Sequence, residues 1–105
     1  MCPHVDVKFV RVPRDLSVES SVQRWVDRIG WANVEVESAE VTIERSGWRR
    51  TSVCLTLALA GERPFTAATS HVDVYVAVAD VFREVRKQVI RHVAASAGRS
   101  LALLG

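Results

Sequence analysis

Val53-Cys54-Leu55-Thr56-Leu57-Ala58-Leu59 decides the fold. Large apolar side chains stand at every second position, and smaller ones fill the positions between. That is the two-residue period of a strand with one face in a core. The reading extends in both directions. Upstream, Ser46-Gly47 marks a turn, and Ala39, Val41 and Ile43 alternate with Glu40, Thr42 and Glu44 as another strand. Its start is open, because Val34 and Val36 can extend it backwards. Further back, Gly30 stops a helix that Asp15 or Ser17 caps, with Glu19 in its first turn. The helix runs to about Ile29, and Val18, Val22, Trp25, Val26 and Ile29 form its apolar stripe. Before it, Val5, Val7 and Phe9 alternate with Asp6 and Lys8 in a strand that Pro13 ends. Downstream, Gly61-Glu62-Arg63-Pro64 turns the chain into a short strand from Phe65 to Ser70. Asp73 then caps a long helix to about Ala95, closed by Gly98, with Val74, Val78, Val81, Phe82, Val85 and Val89 on its buried face.

The order is β-α-β-β-β-α. Strands with one apolar face need a cover, and two amphipathic helices supply it. The expectation is an α+β fold, a four-stranded sheet with two helices packed on one face. Val53, Leu55, Leu57 and Leu59 should meet the helices, while Cys54, Thr56 and Ala58 point away.

Length and composition suit one domain over residues 1–105, with a core at about 4–95 and a short C-terminal tail at 96–105 that is apolar over residues 100–105. Apolar residues make up 49% of the 105 and charged residues 25%, an ordinary globular balance. No apolar run approaches the roughly 20 residues of a membrane helix. Met1-Cys2-Pro3-His4 does not begin a secretory signal, and the two cysteines build no disulfide framework. The expected location is the cytoplasm, with no membrane partner.

No catalytic constellation is visible. There is no Gly-rich phosphate loop, nucleophile elbow or CxxC pair, and Ser20, Ser21 and Ser52 have no evident base. Cys2-Pro3-His4 falls short of the four ligands of a structural zinc site. His71 reads as part of the turn into the last helix, and His92 as a packing residue. The expectation is a binding module rather than an enzyme, without metal, cofactor or small-molecule substrate.

Charge is the informative feature. The net charge is only +2, but Glu35, Glu37, Glu40 and Glu44 form an acidic stretch, read as a solvated strand face. Arg83, Arg86, Lys87, Arg91 and Arg99 make the last quarter basic. Arg83, Lys87 and Arg91 stand four apart on a ridge away from the apolar stripe, and Arg86 widens it. Such a ridge suits a phosphate backbone, because each contact releases counterions. It equally suits a solvated face, with Asp80 and Glu84 partly neutralising it through helical pairs. Spacing alone leaves both readings open. Arg24 and Arg28 stand four apart on the first helix. Around Arg45, Trp48, Arg49 and Arg50, the tryptophan can stack on a base or fold over the sheet edge, with the arginines answering nearby glutamates. The structural reading is preferred there.

His71-Val72-Asp73-Val74-Tyr75-Val76-Ala77-Val78, with Val81-Phe82 and Arg86-Lys87-Gln88-Val89, resembles one family. It is similar to the bacterial hibernation promoting factor or ribosome-associated inhibitor family, also called sigma modulation proteins. Their last helix opens on a His-Glu-Asp-Met-Tyr-x-Ala-Ile type motif. The match runs without a gap from about Phe65 to Arg91, and Ala67 and Leu16-Ser17-Val18 also fit. The resemblance implies a fold similar to double-stranded RNA-binding domains. It also implies a short-form, non-enzymatic translation inhibitor that binds ribosomal RNA in the decoding region of the small subunit, as in stress-linked ribosome hibernation. Lys87 and Arg91 match positions that are usually basic, and the helix carrying Arg24 and Arg28 commonly supplies a second basic patch. A monomer or weak homodimer is implied, without the dimerisation domain of the long form. The alternative is a divergent member that became a protein-interaction module. Asp80, Glu84 (where the family commonly has a base), Val72 (where it usually has an acid) and the modest charge speak for it.

Overall fold

The structure, a computed structural model, describes residues 4–28 and 35–104, with side chains up to residue 95. The order is β1 (His4–Val10), α1 (Leu16–Arg28), β2 (Val36–Gly47), β3 (Arg50–Leu59), β4 (Phe65–His71) and α2 (Val74–Leu104). The strands lie side by side in the order β1-β2-β3-β4. β1 pairs parallel with β2, and the two following pairings are antiparallel. A parallel neighbour needs a crossover, which α1 provides.

The register explains the core. Val7 lies opposite Val41, Val41 opposite Leu55 and Leu55 opposite Ala67. Paired residues share a face, so this row and the rows through Ile43–Val53 and Ala39–Leu57 point to one side. Val53, Leu55, Leu57 and Leu59 are fully buried there against Val18, Val22 and Val26 of α1 and Ala77, Val78, Val81, Phe82, Val85 and Val89 of α2. Cys54, Thr56 and Ala58 turn to the other face and stay half-buried, in the expected register. A one-residue slip would have moved the whole leucine set into solvent. α2 packs on β3 and β4, and α1 packs beside α2 and over β1.

Both helices begin on an aspartate. Asp15, not Ser17, caps α1: its Oδ1 accepts the Ser17 and Val18 backbone N–H groups at 2.9 and 3.4 Å. Asp73 Oδ1 accepts the Tyr75 N–H at 2.9 Å, and His71 Nδ1 accepts the Asp73 N–H at 2.9 Å. His71 therefore shapes the turn into α2. Asp73→Ala should cost about 1 kcal/mol of stability and Asp73→Asn much less, measured by urea unfolding. Equal losses for both would show that the carboxylate charge, not the cap geometry, is what matters there.

Several boundaries differ from the sequence expectation. The turn between β2 and β3 falls on Trp48 and Arg49, not on Ser46-Gly47, because pairing shifts past Ser46 and resumes at Gly47 opposite Arg50. β4 extends one residue further, to His71. α2 runs through Gly98 to Leu104 instead of closing near Ala95. A lone glycine costs only about 1 kcal/mol in a helix, and Ala94, Ala95, Ala97 and Leu101 around it are strong helix formers. β2 starts at Val36; Val34 and the proposed stop at Ile29-Gly30 lie outside the described residues.

Candidate nucleic-acid interface

Among the described residues the buried core holds no polar or charged side chain. The domain's charged side chains lie at the surface. On the open side of the sheet, Asp6 lies opposite Glu40, and Glu44 lies further along opposite Ser52. This is the acidic stretch of the sequence, on the face turned away from the helices. Glu37 sits where the β2–β3 register shifts, and Glu35 precedes the strand.

Of the two helices α2 is net positive, while Arg24 and Arg28 of α1 are matched by Glu19 and Asp27. Arg24, Arg28, Arg83, Arg86, Lys87 and Arg91 are all exposed. Trp25 of α1 stacks on Phe82 of α2, with centroids 6.0 Å apart and planes within 10°. The Arg83 guanidinium lies over the same indole at 5.6 Å, a cation–π contact. These contacts fix which side of α2 faces α1. At about 100° per residue, Arg86 falls between Phe82 and Arg83 on that flank, and Lys87 points outward beside it. On α1, Arg28 and then Arg24 follow Trp25 around the outer surface. The structure therefore borders the helix–helix seam with Arg24, Arg28, Arg83, Arg86 and Lys87.

The acids of α2 lie beside these cations on the helix: at about 100° per residue Asp80 shares the direction of Lys87, and Glu84 stands further round towards β4. Gln88 donates to the Thr66 carbonyl of β4 at 3.1 Å, which fixes the β4 flank. Asp80 and Glu84 line a shallow groove on that flank with Ala67, Ala68, Thr69 and Val81. Neither forms an ion pair among the described residues, where the pairs are Arg11–Glu44, Arg14–Glu19 and His92–Glu62. Asp80 stands three residues before Arg83 and Glu84 three before Lys87, a spacing at which the acids offset part of the ridge's charge without a close contact. The drift of about 40° per four-residue step carries Arg91 away from the seam, towards the flank of Glu84. The three-residue ridge is therefore bent, and Arg86 stands nearer the seam than Arg91 does.

Arg45, Trp48, Arg49 and Arg50 are not part of this seam. They lie at the β2–β3 turn, at the end of the sheet where both helices start. Trp48 is 84% exposed, so it does not fold over the sheet edge, and it is Arg11 that answers Glu44. Trp25 is the residue that sequence reasoning missed. Its stripe position marked it as core, and nothing in one chain's spacing shows that an arginine from the other helix covers it. Cys2 and Pro3 of the weak metal reading lie outside the described residues. Among those described, no group of three His, Cys, Asp or Glu side chains gathers, and no helix is long and apolar enough to cross a membrane.

Solved structures share this architecture. A ribosomal subunit interface protein from Coxiella burnetii superposes with a TM-score of 0.78, at 15% sequence identity, over 87% of this chain and 98% of its own. The chain has the fold of a ribosomal subunit interface protein. The N-terminal domain of Protein Y from Thermus thermophilus superposes with a TM-score of 0.72, at 16% identity, over 88% of this chain and 99% of its own. Both neighbours match the family that the Asp73–Tyr75 motif resembles. No family model matches the chain, and no curated protein matches it in sequence.

Proposed function

We propose that this protein is a ribosome-associated translation inhibitor of the hibernation type. In this reading it acts in the cytoplasm, as a monomer or weak dimer, and lays its basic helix seam on ribosomal RNA in the decoding region of the small subunit. The observation that carries the reading is the net positive strip of exposed side chains beside the contact between α1 and α2. Arg83 is held over Trp25 on the α1 flank, and Asp80 and Glu84 line the groove beside β4. That strip is net positive: Arg24, Arg28, Arg83, Arg86 and Lys87 outnumber the neighbouring Asp27, Asp80 and Glu84, so a polyanion laid along it gains more cations than acids. The shared fold and the Asp73-Val74-Tyr75-Val76-Ala77 motif support the ribosome as the polyanion.

Cosedimentation of the purified protein with small ribosomal subunits tests this. It should pellet with small subunits at low salt and not with bovine albumin as carrier. Glu84→Lys removes an acid from the flank of α2 and should tighten binding by about two- to tenfold in the same assay. An unchanged affinity would mean that the β4 flank lies outside the electrostatic reach of the RNA.

The second reading, a protein-interaction module, is favoured by a different feature. Leu16, Val72, Tyr75 and Val76, at the starts of the two helices, are 67%, 63%, 44% and 38% exposed. A protein that stays in the supernatant at low salt would move the assignment to that reading.

A further inference from the structure

We propose that the tip of the β2–β3 hairpin is a second nucleic-acid contact, in which Trp48 stacks on an unpaired base and Arg45 and Arg49 meet the flanking phosphates. This rests on the reading above that the domain binds RNA, and it adds a base-stacking site to a surface that otherwise offers only charge.

Trp48 is the most exposed of the large apolar side chains described, at 84%. A tryptophan costs much to leave in water, so its position asks for a partner. One face of its indole is already covered, by the Arg49 guanidinium at 4.4 Å. The other face is available, which makes a base–indole–guanidinium stack the natural completion. The backbone is set for this arrangement. Arg49 has φ 60°, in the left-handed region that glycine or asparagine adopts without strain. A hairpin turn needing only to reverse the chain would be easier with one of those, yet a long cation occupies the position. Just behind it, Arg50 Nη2 donates to the Ser70 carbonyl at 3.0 Å and to Ser70 Oγ at 3.3 Å, which ties the base of the tip to β4. Stacking on a fixed platform loses less entropy than stacking on a free loop.

The local charge agrees. Arg45 and Arg49 form no ion pair among the described residues, and the neighbouring Glu44 is turned to Arg11 at 3.9 Å. Strand register places the tip level with the ends of β1 and β4, where α1 and α2 begin. Arg28 ends α1, about 20 Å away along that helix. The tip and the seam are therefore separate contacts, and one variant can test each alone.

The probe is a single-stranded oligoadenylate RNA of about twelve nucleotides, titrated by fluorescence anisotropy at several salt concentrations. Trp48→Ala should weaken binding about tenfold with an unchanged salt slope, and Trp48→Phe should lose only about twofold. Arg45→Glu with Arg49→Glu should lower the slope by about 0.7 for each phosphate no longer neutralised. All these side chains are exposed, so the urea midpoint should not move. One result overturns the proposal while sparing the seam: Trp48→Ala binding RNA like the wild type when Arg83→Glu/Lys87→Glu does not. A wild type that binds no RNA in this titration overturns the tip contact, and cosedimentation with small subunits then decides the seam.

Discussion

Replacing Arg83, Lys87 and Arg91 by glutamate together should abolish inhibition of translation in a cell-free assay, with the protein still folded. All three side chains are exposed, and none belongs to the core that Val78, Val85 and Val89 help to form. Each exposed charge change should alter stability by no more than about 0.5 kcal/mol. Arg83 adds the contact over Trp25, worth about 0.5–1 kcal/mol at an exposed site. Against those small costs stand three phosphates left without a cation and three new repulsions. The expected fall in affinity is at least about a hundredfold. Because Arg91 has drifted from the seam, the single variants should not be equal. Arg83→Glu and Lys87→Glu should each cost more binding than Arg91→Glu. Equal effects from all three would mean that the RNA follows the α2 ridge itself and not the seam with α1.

The second large effect concerns the core under that seam. Phe82 is fully buried and stacks on Trp25, so it joins the two helices as well as filling the space above the sheet. Phe82→Ala should destabilise the domain by about 3–5 kcal/mol, read as a shift of the urea midpoint at constant slope. That is a large share of the roughly 5–15 kcal/mol that holds an ordinary domain folded. Phe82→Leu should cost far less, because it keeps most of the volume. A loss below about 1 kcal/mol for the alanine would show that Trp25 settles into the vacated space and that the helix–helix packing does not depend on the stack.

The sheet and the cap of α2 were legible in the sequence because period and capping chemistry are local. Val53, Leu55, Leu57 and Leu59 announce their face by alternation alone, and Asp73 announces a helix start by its position before an apolar stripe. The β2–β3 turn was less legible. Ser46-Gly47 carries turn residues, but the shift past Ser46 continues the pairing, and the reversal falls on Trp48 and Arg49. The end of α2 was hidden for the converse reason: Gly98 is a weak stop, and strong helix formers on both sides outweigh it. The candidate site divided in the same way. Exposure of its six basic side chains followed from helical spacing. The placement of Arg83 over Trp25, and of Asp80 and Glu84 along the groove beside β4, depends on how α1 and β4 sit against α2. Trp25 and Arg83 lie more than fifty positions apart, beyond what periodicity can report.

In the proposed function the helix seam holds ribosomal RNA by charge, and the salt dependence of binding to purified small subunits tests that most directly. The logarithm of the association constant should fall linearly with the logarithm of salt concentration. Arg24→Glu/Arg28→Glu and Arg83→Glu/Lys87→Glu should each reduce that slope by about 1.4–1.8, two phosphates at about 0.7–0.9 apiece. A binding constant that is independent of salt, or a slope unchanged in both double variants, would contradict the seam as the ribosome-binding surface.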